Sequence, residues 1–103
     1  MKHVVLSIDT SDSKETRVAL VFDGKRYEKT TQSVVLKAQS VLPLMETLLT
    51  EHHLGFADIA DIELHTGPGS FTGLRVGAAI ANALGFFLQI PVNGQRTLVV
   101  PLY

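Results

Sequence analysis

The spacing of apolar residues changes along the chain, and each change marks an element. Val4 to Ile8 is almost continuously apolar and rich in β-branched residues, the pattern of a strand covered on both faces, and Asp9-Thr10-Ser11-Asp12-Ser13 ends it with turn formers. Thr16 to Phe22 and Lys25 to Thr30 flank Asp23-Gly24, a dipeptide suited to the positive φ angles of a two-residue hairpin, so strands two and three are antiparallel. From about Leu36 to His53 the residues Val41, Leu42, Met45, Leu48 and Leu49 recur at helical spacing, and Leu54-Gly55 offers a glycine stop. Pro43 inside that pattern predicts either a helix that begins near it or a kink in its first turns. Ile59 to Leu64 reads as a short strand, Gly67 to Ser70 as a tight turn, Phe71 to Leu88 as a second helix, and Ile90 to Val92 as the start of a last strand. The order β-β-β-α-β-α-β predicts an α/β domain, a mixed sheet with helices packed on it.

Length and composition narrow the reading. The 103 residues suit one domain spanning 1–103, with 46% apolar and 18% charged residues. That is more apolar than a typical soluble domain, and a partner could cover the excess. The formal net charge is −1 and there is no run of Lys or Arg, so direct nucleic-acid binding is not expected. The chain has no cysteine, which excludes a disulfide framework and a thiolate zinc site and fits a cytoplasmic protein. His3, His52, His53 and His65 fall on different elements, without the i, i+4 spacing of a zinc helix, so no metal is expected. The first apolar run is too short for a signal peptide. The uncharged stretch from Val76 to Gln95 is interrupted by Gly77, Asn82, Gly85, Gln89, Pro91 and Asn93, which leaves too little continuous apolar length to span a bilayer, and no membrane is expected.

The most constrained segment is Gly67-Pro68-Gly69-Ser70-Phe71-Thr72-Gly73-Leu74-Arg75-Val76-Gly77. Gly67-Pro68-Gly69 forces a turn, and Ser70 is placed to cap the helix that follows. A helix start of this kind can hold an anion. The spacing is not that of a P-loop, because Leu74 follows Gly73 where a lysine would be needed. Nor does Gly69-Ser70-Phe71-Thr72-Gly73 match the glycine spacing of a nucleophile elbow, so no catalytic residue is assigned. Asp9, Thr10 and Ser11, at the end of the first strand, together with Gly69 and Ser70, are the candidates for a nucleotide contact; for Asp9 a loop carboxylate bonding its own turn is the competing reading. Gly73, Gly77, Ala81 and Gly85 recur every four residues and let another backbone approach one face of the second helix, either within the chain or in a second subunit.

Ile8-Asp9-Thr10-Ser11, Leu42-Pro43-Leu44 at the first helix, and the eleven residues from Gly67 to Gly77 together resemble the TsaB (YeaZ) family, and the similarity continues through Ile90-Pro91-Val92. The resemblance implies an actin-like or Hsp70-like ATPase fold (ribonuclease H-like), in a bacterial system that installs threonylcarbamoyl groups on the adenosine beside the anticodon of certain tRNAs. It implies a non-catalytic subunit that pairs with a TsaD-like transferase through a bundle of two helices from each partner, with a TsaE-like ATPase as a further partner. The interface expected from this comprises Val41, Met45, Leu48, Gly73, Val76, Gly77, Ile80, Ala81, Leu84 and Gly85. A homodimer is expected when the chain is alone. No cofactor is expected on this chain by itself, and ATP or ADP would sit at a subunit interface. The alternative reading is a nucleotide-binding or ATPase half-domain completed by another subunit. A peptidase reading, prompted by an old glycoprotease label among relatives, finds no metal pair, triad or cysteine here. The sequence departs from the family pattern at Lys37-Ala38 and His65-Thr66, and by its resemblance the chain is expected to correspond to the N-terminal half, without the family's usual second domain.

Overall fold

The computed structural model describes residues 3–32, 37–96 and 98–101; Leu36, the expected start of the first helix, and the side chains of Lys37 and Ala38 lie outside the described residues. Three strands, β1 (Val4–Asp9), β2 (Glu15–Phe22) and β3 (Lys25–Gln32), are followed by helix α1 (Lys37–Glu51), a 3₁₀ turn (Phe56–Asp58), strand β4 (Ile59–Leu64) and helix α2 (Phe71–Leu88). The four strands form one sheet in the order β3-β2-β1-β4, antiparallel except for the β1–β4 pair.

The hairpin follows from Asp23 and Gly24, whose φ angles of 52° and 73° give the turn whose twist matches its strands, and Phe22 pairs with Lys25 across it. The loop between β1 and β2 is built by two carboxylates. Asp9 accepts from the amide and the hydroxyl of Ser11, and Asp12 accepts from the amides of Lys14 and Glu15.

Both helices lie on one face of the sheet. Val4, Leu6 and Ile8 of β1 and Val18, Leu20 and Phe22 of β2 form the core with Val41, Met45, Leu48 and Leu49 of α1 and Ala78 and Ala81 of α2. The expectation that β1 is covered on both faces is therefore corrected: burial alternates along the strand, and Val5, Ser7 and Asp9 on the other face are only half-buried. A run of apolar residues was a poor guide here because Val5 is the one apolar residue that β1 presents on that side.

α1 continues through Pro43. Pro43 and Gln39 are both exposed, so the carbonyl four residues back that loses its partner faces water. The helix does not use Gly55 as its stop. His53 adopts the left-handed conformation at φ 57°, while its amide reaches the Thr50 carbonyl and that of Leu54 the Leu49 carbonyl, the two bonds of a Schellman ending.

The last expected strand is reduced to single bridges. Val92 bridges Ile62 in parallel, and the amides of Ile62 and Asn93 exchange bonds with Pro91 and Ile62 carbonyls. Asn93 then replaces further strand with its side chain, accepting from the Leu64 amide at 2.7 Å and donating to the Leu64 carbonyl at 3.0 Å. The outer edge of β4 is thereby paired without a fifth full strand.

Candidate functional site

The motif from Gly67 to Gly77 lies at the C-terminal ends of β1 and β4, where parallel strands of an α/β sheet deliver their loops. Ser70 caps α2, its hydroxyl accepting from the Gly73 amide at 3.2 Å. The helix start is fastened to the turn after β1. The Ser70 amide donates to the Ser11 carbonyl at 2.7 Å, and the buried Thr10 hydroxyl donates to the Gly73 carbonyl at 2.6 Å. His65 adds a contact between its Nε2 and the Pro68 carbonyl at 3.2 Å.

The glycines of α2 permit this closeness. A side chain on Gly73 would overlap the Thr10 carbonyl, and one on Gly77 the Thr10 hydroxyl. At Gly85 a Cβ would stand 2.7 Å from Val92 Cγ2. Gly73, Gly77, Ala81 and Gly85 are all buried against the chain itself. The expected interface is accordingly corrected: these four residues, with Val41, Met45 and Leu48 of α1, are buried inside the chain itself. Ile80 and Leu84 pack against that core half-buried, and Val76 is also half-buried. The physical reason is the sheet, which covers the small-residue face because only that face lets the helix backbone descend onto Thr10.

The opposite face of α2 is open and apolar. Phe71 is 56% exposed, Phe86 74% and Phe87 80%, with exposed Ala79 and Ala83 between them. The Arg75 guanidinium sits 5.4 Å from the centre of the Phe71 ring, and the rings of Phe86 and Phe87 meet edge to face at 6.0 Å. Contrary to the sequence expectation, α2 is long and apolar enough by length and composition to cross a membrane, with 33% of it buried within the chain. A core helix of a globular protein passes the same measure, and α2 is bonded to the turn after β1 through Thr10 and Ser11. Near its end, Gly85, Phe86, Ile90 and Leu98 line a groove. Asn82 spans α2 and the chain beyond it, donating to the Val99 carbonyl at 2.9 Å and accepting from the Val99 amide at 3.0 Å. In the sequence Asn82 stands out only as a break in the apolar stretch, although a lone amide in an apolar helix demands a partner.

Of the nucleotide candidates, Asp9, Thr10, Ser11, Gly69 and Ser70 do come together. Burial pushes the Asp9 carboxyl up, but the hydroxyl and amide of Ser11, with His65 and Arg17 nearby, outweigh it and hold the group below the usual aspartate value. Among the described residues no cluster of three or more His, Asp or Glu side chains is arranged for a metal.

Comparison with known proteins bears on the whole chain. Residues 36–102 match the family described as "TsaD: tRNA N6-adenosine threonylcarbamoyltransferase". The chain belongs to that family, and its relatives carry the TsaB and YeaZ names. It is similar to the tRNA threonylcarbamoyladenosine biosynthesis protein TsaB of Haemophilus influenzae, at 34% identity over 85% of this chain and 37% of that protein. The protein of the same name from Escherichia coli is 34% identical over 92% of this chain and 41% of its own length. The solved structure of YeaZ from Pseudomonas aeruginosa superposes with a TM-score of 0.81 at 33% identity, covering 87% of this chain and 42% of that one. The fold is thus the actin-like ATPase fold of YeaZ, and the chain spans less than half the length of these relatives.

Proposed function

We propose that this chain is a non-catalytic partner subunit that docks onto a TsaD-like transferase during threonylcarbamoyladenosine modification of tRNA. The observation that carries this reading is the outer face of α2, where three exposed phenylalanines bracket exposed Ala79 and Ala83. An apolar face of this size on a helix already anchored on its other side marks a protein contact. The alanines admit a close helix and the aromatic residues supply the anchors that dominate binding energy. Arg75 is the one charged residue of α2, so the partner surface is itself largely apolar. α1 carries further exposed positions, Leu42, Pro43 and Glu46. In the absence of that subunit a second copy covers the same face, and a TsaE-like ATPase joins the assembly, in the cytoplasm.

The test is the solution mass of the chain alone and mixed with a TsaD-family protein from the same source, for wild type and an Ala79→Glu/Ala83→Glu double variant. The wild type is expected to form a one-to-one complex, and the folded double variant is expected to remain apart. A folded double variant that binds with wild-type affinity would place the docking surface elsewhere.

A further inference from the structure

An actin-like fold implies a nucleotide, and the turn after β1 facing the start of α2 is where this chain would contact its phosphates. The residues present do not fit that group. We infer that the β1–β2 turn and the start of α2 form a closed latch, so that no phosphate, free or nucleotide-borne, seats between the turn and the helix start.

A helix N-terminus attracts anions because its first amides lack partners. Here the Ser70 amide is taken by the Ser11 carbonyl at 2.7 Å and the Gly73 amide by the Ser70 hydroxyl at 3.2 Å. The Ser11 carbonyl thus occupies the place at the Ser70 amide that a phosphate oxygen would take. Space is closed as well. Even one added carbon on Gly69 would lie 2.5 Å from Ser11 Cβ and 2.8 Å from its carbonyl oxygen, and one on Gly73 would overlap Thr10. A phosphate therefore has no room between the turn and this side of the helix start.

Charge points the same way. The Asp9 carboxylate is hydrogen-bonded to Ser11 in the same turn and repels an incoming anion, and the nearby His65 and Arg17 face that carboxylate. Arg75, the cation on α2, leans on the Phe71 ring. The latch therefore holds α2 at a set height above the sheet, and its chemistry is that of an internal clasp.

The experiment is titration of the isotope-labelled chain with inorganic phosphate and, separately, with magnesium-ATP, following the amide resonances of Ser70, Gly73 and Leu74. No saturable shift at millimolar ligand is expected in either arm. Saturable shifts at these amides with phosphate would reveal a free anion site, and shifts with ATP alone a nucleotide site; either result overturns the latch. In a Gly69→Ala variant, Ser70 amide exchange should accelerate by roughly tenfold or more while that of Ile62 is unchanged. Unchanged Ser70 exchange would show that the turn and helix do not hold one another.

Discussion

Thr10 and Gly73 approach one another from two directions: the Thr10 hydroxyl donates to the Gly73 carbonyl at 2.6 Å, and the Thr10 carbonyl fills the place where any side chain on Gly73 would stand. Two backbones in such contact leave no flexible atom to move aside. Alanine at Gly73 would gain about 1 kcal/mol of helix propensity but force the turn away from the helix, which costs about 1–3 kcal/mol together with the loss of a buried hydrogen bond. Gly73→Ala is therefore expected to be destabilised overall, by about 1–3 kcal/mol in urea unfolding. A variant as stable as wild type would show that the turn yields freely.

The same contact separates the two faces of α2. Gly77→Leu should unfold the chain, since Gly77 meets Thr10 and Leu64, whereas Ala79→Glu on the exposed face should change stability by less than about 0.5 kcal/mol. Circular dichroism melts of the two variants check this ordering, and equal melts would remove the distinction between an inner and an outer face.

Asp9 supplies a dependence on acid. Its carboxyl titrates below the ordinary 3.8 in the folded chain, so on lowering pH the unfolded chain takes up the proton first. Its stabilising effect is present above that ordinary value and lost as the pH falls through the folded one. Wild type should exceed Asp9→Asn by about 1 kcal/mol at neutral pH, the margin of a charged over a neutral acceptor. The difference should vanish in acid. Urea midpoints measured across this range would contradict the assignment if the margin stayed constant.

Asn82 pins the segment after α2 by two bonds to Val99. Asn82→Ala should cost about 1–2 kcal/mol and expose the Val99 amide to rapid hydrogen exchange. Exchange at Ile62, bonded to Pro91, should be unaffected. Retained protection at Val99 would mean that other contacts hold the segment.

Much of the fold was legible because its determinants are local. Asp23-Gly24 carries its own turn geometry, Ser70 its own cap, and β4 and α2 begin and end where apolar period and turn residues place them. The ending of α1 was not, because the left-handed residue is His53, held by bonds to Thr50 and Leu49 that override the preference for a glycine. The last strand failed for a related reason: Asn93 supplies through its side chain the pairing that a longer strand would have given through its backbone.

The candidate site divides in the same way. The sequence alone singled out Asp9 to Ser11 and Gly69 to Ser70 as candidates, and showed that one stripe of α2 is made for close approach. It could not say what approaches, because a helix apolar on nearly every side carries no record of which side is covered. Only the tertiary structure decided that, by seating the glycines on Thr10 and Val92, where backbone must touch the sheet and its loops, and leaving Phe71, Phe86 and Phe87, which are too large for that gap, facing outward.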